Sequence, residues 1–146
     1  MMLTRHSLLA IAAVVDVALH ARPAPVAAKA LATRLDLPPR HLETLLQALV
    51  RANILKGVRG PRGGYELARE RRRISAGDIV RAVLQEEEPA GSKGAPAMVR
   101  DVISPLVETA VGAFLAELDE IRVDAMCTKA LARAGTAGGG DSDFTI

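Results

Sequence analysis

Apolar residues recur at helical spacing through the N-terminal third of the chain and predict three helices. The first, over residues 4–21, is apolar on most sides, so we expect it to be a central packing element. Its basic start and apolar middle resemble a secretory signal, but Asp16 interrupts a run that is too short to span a bilayer. A second helix is predicted over 26–34, and a third over 39–53 begins at a proline suited to a first helical turn.

The third helix separates its apolar positions from its polar ones. The apolar side chains repeat every three or four residues and are expected to face inward: Leu42, Leu45, Leu46, Leu49 and Val50. The opposite face then presents polar side chains to solvent: Arg40, His41, Glu43, Thr44 and Gln47. Because only a short turn separates them, the second and third helices have the spacing of a helix-turn-helix.

The pattern then changes to two short strands, 54–58 and 65–68, on either side of a glycine-rich stretch. Gly63-Gly64 permits positive backbone dihedrals, so we expect the chain to reverse there. The result is a β-hairpin with Arg59 and Arg62 at its tip. A helix-turn-helix followed by such a hairpin predicts a mainly α fold, the winged helix-turn-helix, over residues 1–85.

A fourth helix is predicted after Ser75, which can cap it together with Asp78 three residues on, in a pattern close to a capping box. Its apolar positions are expected to enter the core: Ile79, Val80, Val83 and Leu84. Residues 86–96 are acidic and rich in small residues, which predicts a flexible loop. A glycine-rich tail over 135–146 predicts disorder.

Between the loop and the tail, residues 97–134 form a predicted dimerisation region built on a long helix over about 97–120. Its apolar stripe lies outside the compact winged helix and needs a partner, for which a second copy of the same helix is the simplest choice. Ser104-Pro105 either starts or kinks this helix. The expected contacts between the two copies are Ile103, Val107, Ala110, Phe114 and Leu118.

Charge is distributed unevenly along the chain, although the formal net charge is only +2. Residues 1–75 carry 13 Lys and Arg against 5 Asp and Glu, whereas residues 76–146 carry 6 against 12. A basic front half and an acidic back half predict that only the front meets a polyanion. Aromatic residues make up 2% of the chain and apolar residues 49%, which favours packed helices over a β-sandwich.

The predicted polyanion is double-stranded DNA. A recognition helix presents its N-terminal turns to base edges, where arginine can chelate guanine and glutamate can accept from cytosine. Arginines at a hairpin tip suit a minor groove or a phosphate backbone. The alternative for each set is an ordinary solvated surface, and for Arg71-Arg72-Arg73 phosphate contact and simple solvation remain equal alternatives.

Other chemistry has little support in the sequence. His6, His20 and His41 fall on three separate helices without ligand spacing, and Cys127 is the single cysteine, so we expect no metal site, no cofactor and no disulfide. No serine or cysteine lies in a glycine elbow with a base, so we expect no enzyme activity. Cys127 is interpreted as a small packed residue near the end of the long helix, with a redox role as the alternative. We expect a cytoplasmic protein that does not enter a membrane.

Residues 3–126 resemble the Rrf2 (IscR/NsrR/CymR-like) family of bacterial winged-helix regulators. Residues 58–69 carry the family's wing pattern R-G-x-x-G-G-Y-x-L, and 41–46 resemble its recognition-helix pattern Y-L-E-x-I-L. The resemblance implies a homodimeric DNA-binding transcription factor, usually a repressor. It also implies Arg59 as the minor-groove residue and Glu43 as a base-reading residue.

The chain also departs from the family. Cluster-binding members carry three cysteines between the fourth helix and the dimerisation helix, where residues 86–101 have none. Ser104 stands where some members place a histidine ligand, Arg122 replaces a threonine, and His41 replaces a tyrosine. The resemblance therefore implies DNA binding without an iron–sulfur cluster. The signal stays open between a small molecule, a protein partner and oxidation of Cys127, and the alternative function is a winged-helix protein-interaction scaffold that does not read DNA.

Overall fold

A computed structural model describes residues 3–86 and 94–143. It confirms the mainly α winged helix-turn-helix, with six helices and one two-stranded antiparallel sheet in this part of the chain. In chain order the elements are α1 (Arg5–His20), α2 (Ala28–Leu35), α3 (Pro39–Arg51), β1 (Leu55–Val58), β2 (Gly64–Leu67), α4 (Ala76–Glu86), α5 (Ser104–Asp119) and α6 (Val123–Asp143).

Helix α1 is the central packing element that the sequence predicts. Thr4 caps its start by accepting a hydrogen bond from the Ser7 amide at 3.2 Å. Ala10, Ala13 and Val14 are completely buried, and α1 packs against α2, α3, α4 and α6. These small side chains allow the neighbouring helices to approach closely, which explains how a core with so few aromatic residues is filled.

An ion pair fixes α2 against α1. Asp16 lies on the otherwise apolar α1 and is only 9% exposed. Arg34 of α2 donates to both of its carboxylate oxygens, from Nε at 2.8 Å and from Nη2 at 2.7 Å. The hydrogen bonds that Arg34 donates to Asp16 raise the pKa of Arg34 above its ordinary value. Because the pairing is bidentate, it fixes orientation as well as distance between the two helices.

Two predicted core residues lie at the surface instead. In α3, Leu42, Leu45, Leu46 and Leu49 are buried, but Val50 is 37% exposed. In α4, Ile79, Val80 and Val83 are buried, but Leu84 is 38% exposed. Each misplaced residue follows the last buried residue of its stripe by one position, and one step of an α-helix rotates the side chain by about 100° away from the core.

The capping box at the start of α4 is confirmed. The Ser75 amide donates to Asp78 Oδ2 at 3.1 Å, and the Asp78 amide donates to Ser75 Oγ at 3.0 Å. A 3-10 turn, Arg71–Arg73, precedes it and connects the hairpin to α4.

The predicted long helix is present but is followed by a break and a further helix. A π-helical turn, Val99–Ile103, leads directly into α5, whose first turn contains Pro105. The chain then leaves the helix at Ile121 and Arg122, because their segment bonds to the start of α4: the Ala76 amide donates to the Ile121 carbonyl, and the Val123 amide to the Ile74 carbonyl.

Helix α6 changes two sequence expectations. Cys127 lies in α6 and not near the end of the long helix, and α6 packs back onto α1 and the 3-10 turn. Residues 135–143 are helical, whereas the sequence predicted disorder, because the alanine-rich stretch before them carries the helix onward. Most of the predicted loop 86–96 and the last three residues of the tail lie outside the described residues.

The C-terminal end of α5 is joined tightly to α4. Arg81 Nη1 and Nη2 donate to the two Asp119 carboxylate oxygens at 2.5 and 3.0 Å, and this hydrogen bonding lowers the pKa of Asp119. A Cβ at Gly77 would overlap Asp119 Oδ1 and lie 3.0 Å from its backbone nitrogen. The missing side chain at Gly77 therefore lets α4 and α5 meet.

We expect Gly77→Ala to lower the free energy of unfolding by about 1–3 kcal/mol, because the new methyl group must displace Asp119 from Arg81. Gly112→Ala is the matched control: a Cβ there has no neighbour within 4 Å, so the better helix former should raise stability by up to about 1 kcal/mol. Urea denaturation followed by circular dichroism measures both. Equal effects of the two substitutions would contradict the close approach.

Candidate nucleic-acid interface

The turn between α2 and α3 orients the candidate recognition helix. Asp36 ends α2 in the left-handed conformation with φ 53°, and the Leu37 amide donates to the Ala32 carbonyl at 3.0 Å. Pro39 then supplies a preset first turn to α3. The five polar side chains that the sequence assigned to the outer face are all exposed: Arg40, His41, Glu43, Thr44 and Gln47.

A shallow cleft of about 700 Å³ separates the start of α1 from the start of α3. It brings His41 and Thr44 together with Arg5 and His6, two residues that sequence reasoning did not include in the interface. Arg5 contributes a further positive charge beside the exposed face of α3. The sequence analysis noted the basic N-terminus, but nothing in the local pattern placed it beside α3.

The wing is a short hairpin with an arginine-bearing tip. β1 pairs antiparallel with β2 in a register that opposes Val58 to Gly64, and Lys56 Nζ lies 2.9 Å from Glu66 Oε1 across the pair. Arg59 and Arg62 are both exposed at the tip. The strands therefore place two guanidinium groups at the far end of the hairpin, free to meet a groove or a phosphate.

The chain reversal lies earlier than the sequence predicted. It is a turn over Gly60–Gly63, closed by a hydrogen bond of 2.9 Å from the Gly63 amide to the Gly60 carbonyl, with Pro61 at its second position. Gly60 has φ 115°, whereas Gly64, the first residue of β2, has a nearly extended backbone with φ 159°. The expectation that Gly63-Gly64 forms the reversal is therefore wrong for Gly64, and Gly63 is only the last residue of the turn.

Gly63 and Gly64 serve close packing instead. A Cβ at Gly63 would overlap the Val58 carbonyl oxygen and lie 2.9 Å from that of Gly60. A Cβ at Gly64 would overlap the Val26 carbonyl group. Both contacts are to backbone, which cannot rotate away as a side chain can. A larger residue at Gly63 would therefore distort the hairpin tip, and one at Gly64 would force the wing away from Val26.

Val26 is a third strand-like partner of the wing. Its amide donates to the Tyr65 carbonyl at 2.9 Å, and the Tyr65 amide donates back to the Val26 carbonyl at 2.8 Å. The sequence placed Val26 inside the second helix, but α2 begins two residues later because this backbone pairing occupies Val26. The pairing ties the wing directly to the entrance of the helix-turn-helix.

The apolar stripe of α5 divides into a free and a covered part. Ile103 and Val107 are 45% and 53% exposed, and Ala110 is exposed as well. Phe114 is partly buried, and Leu118, at 9% exposed, is buried with Ala76 and Val80 of α4. Leu118 is thus used within its own chain, which removes it from the surface available to a second copy.

The free part of the stripe extends further toward the N-terminus than predicted. Met98, Val102 and Leu106 are 66%, 53% and 71% exposed. Sequence reasoning missed Met98 and Val102, because the π-helical turn rotates them relative to a regular helix.

Cys127 is enclosed in the core and is 1% exposed. Burial raises the pKa of its thiol and Asp124 adds to this, whereas Arg71 opposes it. A buried neutral thiol is a poor nucleophile and a poor metal ligand. Within residues 3–86 and 94–143, no group of three or more His, Cys, Asp or Glu residues is placed to hold a metal ion. In the same residues, no helix has the length and apolar character needed to cross a membrane.

Comparison with known proteins identifies what this chain resembles. The profile of the family described as Rrf2, iron-dependent transcriptional regulator, matches residues 3–129. A Synechocystis sp. protein named as a candidate HTH-type transcriptional regulator, slr0846, is 42% identical over 89 residues, which cover 61% of this chain and 60% of the relative. IscR of Vibrio atlanticus is 37% identical over 57% of this chain and 48% of its own length. The chain thus aligns with only about half to three-fifths of these relatives.

Solved structures match over more of the chain. The structure of T. potens IscR covers 89% of this chain and 88% of its own, with a TM-score of 0.68 and 31% identity. CymR of B. subtilis covers 88% of this chain and 98% of its own, with a TM-score of 0.65 and 22% identity, and supports the fold alone.

We expect Gly64→Ala to destabilise the protein by about 1–3 kcal/mol, because its methyl group would collide with the Val26 carbonyl. Gly57→Ala, in the paired strand, is the control: its Cβ meets nothing within 4 Å, so it should be neutral or stabilising by up to about 1 kcal/mol. Hydrogen exchange at the Tyr65 amide, together with urea denaturation, reports the loss of wing docking. Unchanged protection of that amide in Gly64→Ala would show that the close approach is not needed.

Proposed function

The chain belongs to the Rrf2 family, and from that premise we propose that it is a homodimeric, sequence-specific DNA-binding transcriptional repressor that works without an iron–sulfur cluster. The observation that carries this proposal is the pairing of Val26 with Tyr65, which holds the arginine-tipped wing on the same body as the exposed polar face of α3. The excess of positive charge over residues 1–75 supplies attraction to the duplex.

The two elements are proposed to read DNA in different ways. The start of α3 would lie in a major groove, with Arg40, His41, Glu43, Thr44 and Gln47 facing the base edges. Arg59 and Arg62 would contact a minor groove or its phosphates, because a narrow minor groove attracts arginine. Phosphate contacts supply affinity and register, whereas base contacts supply discrimination.

We expect mutations in the wing and in α3 to have different effects on DNA binding. Arg59→Ala should weaken binding to nearly all duplexes alike. Glu43→Ala should instead change the difference in binding free energy between matched and mismatched sites by about 1–3 kcal/mol. Arg133→Ala, an exposed arginine on α6, is the control and should leave both affinity and motif unchanged. Selection of binding sequences from a random duplex pool provides the measurement. An unaltered motif with Glu43→Ala would remove its proposed role.

The homodimer is proposed to form through the free part of the α5 stripe together with the π-helical turn before it. Five large apolar side chains there are 45–71% exposed: Met98, Val102, Ile103, Leu106 and Val107. A contiguous exposed apolar surface of this kind marks an interaction site. A second copy presents the same helix, so a two-fold seam buries both at once.

We expect Ile103→Glu with Val107→Glu to give monomers, because two charges per chain would be buried in the seam. Gly112→Glu with Ala116→Glu is the control, with the same charge and the same four-residue spacing on the other side of α5. Light scattering of both variants gives the mass. A dimer that survives the first pair would place the interface elsewhere.

The family description includes iron dependence, but the residues of this chain do not fit an iron–sulfur cluster. Such clusters are held mainly by several cysteine thiolates. This chain has a single cysteine, and it is buried in the core with a raised thiol pKa. Residues 86–101 offer Glu86, Glu87, Glu88 and Asp101 as charged oxygen donors, which are poor partners for a sulfide cluster.

Protein purified without oxygen should be colourless, with iron and sulfide far below one cluster per chain, and should bind DNA after treatment with a chelator. Cys127→Ser should bind DNA as the parent does, because the thiol lies outside the proposed interface. A brown preparation with stoichiometric iron and sulfide would overturn the proposed absence of a cluster. Loss of DNA binding in Cys127→Ser would indicate thiol sensing instead.

A further inference from the structure

A second cleft, of about 690 Å³, lies where the end of α1, the base of the wing and the 3-10 turn meet. It is separate in its lining from the exposed face of α3 and from the arginines at the wing tip. Its volume lies in the range typical of small-molecule sites. None of the functions proposed above uses it.

Three arginines in this cleft carry charge that no carboxylate neutralises. Arg69 Nε donates to the Asn53 carbonyl at 3.2 Å, and Arg71 donates to the Ala18 carbonyl at the end of α1. Arg22 also lines the cleft and is exposed. In the part of the chain that the structure describes, no ion pair joins any of these three to an acidic side chain.

The acidic residues of the cleft are already engaged by other cations. Glu66 pairs with Lys56 at 2.9 Å, and Glu70 pairs with Arg72 at 2.8 Å and lies 4.0 Å from Arg73. Arg69 donates to two carbonyls, those of Asn53 and Arg73, and Arg71 donates to one. These bonds orient the guanidinium planes without cancelling their charge. Each guanidinium has five donors, so most of them remain for a planar anion such as a carboxylate or phosphate.

Part of the cleft wall is apolar. Val17 and Ala18 of α1, Ala21 directly after α1, Pro23 and Leu67 provide it. A cationic rim over an apolar wall matches a ligand with a carbon skeleton and more than one anionic group. A bare phosphate or a duplex backbone would leave this wall unused.

We propose that this cleft binds a small organic anion carrying carboxylate or phosphate groups. Such a ligand would bridge α1 to the base of the wing, because Arg22 follows α1 whereas Arg69 follows β2. If the proposed DNA-binding function holds, the ligand shifts DNA affinity to the extent that it favours one wing position over another. Binding of the anion itself does not depend on that function.

The test uses citrate as the probe, titrated into the full chain by calorimetry at low ionic strength and without DNA. Citrate should bind saturably, and Arg22→Gln with Arg69→Gln should weaken it about tenfold or more, because two charge-assisted hydrogen bonds are removed. Lys129→Gln with Arg133→Gln is the control: it removes the same net charge from exposed positions of α6 outside the cleft and should leave citrate binding unchanged. Circular dichroism confirms that each variant is folded.

Three results would overturn the proposal. One is the absence of saturable binding of both citrate and inorganic phosphate to the parent chain. The second is equal weakening by the two double variants, which would indicate general surface charge. The third is weaker duplex binding by Arg22→Gln with Arg69→Gln while citrate binding stays intact, which would assign these arginines to DNA phosphate. If the parent chain binds citrate but does not bind DNA, only the proposed function is contradicted.

Discussion

The close backbone approach between Val26 and Tyr65 is the constraint on which the proposed interface depends. Two hydrogen bonds of 2.9 and 2.8 Å hold the wing to the entrance of the helix-turn-helix, and they form only because Gly64 has no side chain to meet the Val26 carbonyl. A two-stranded hairpin is marginal by itself in water. Docked in this way, the wing tip and α3 become parts of one rigid surface.

A second glycine allows a close contact between α4 and α5. Because Gly77 has no side chain, the end of α5 packs directly against α4, and the bidentate pair of Arg81 with Asp119 fixes its orientation. The backbone hydrogen bonds at Ile121 and Val123 interrupt the helical path between α5 and α6, and α6 then packs on the core. The exposed apolar part of α5 is thereby held at a set angle to the winged helix, which the proposed dimer would need in order to fix the spacing between its two proposed DNA-binding surfaces.

Sequence reasoning recovered the features that local patterns encode. The leucine spacing of α3 separated its buried from its exposed face, the Ser75–Asp78 box located α4, and the glycine-rich stretch located the wing. It failed where contacts between residues distant in sequence determine the structure. The pairing of Val26 with Tyr65, the burial of Leu118 under α4 and the basic cleft beside Arg22 join residues distant in sequence, and periodicity carries no information about them. The base-reading and dimerisation roles remain predictions.

The salt dependence of duplex binding tests the central claim most directly. Affinity of the full chain for a labelled random-sequence duplex should fall as salt rises, with a steep linear slope on logarithmic axes that reflects counterion release. Replacing Arg59 and Arg62 together should reduce that slope by about 1 for each DNA phosphate that the variant no longer neutralises. Binding that is absent at low salt, or that does not change with salt, would contradict DNA recognition by this surface and favour a winged helix used as a protein-interaction scaffold.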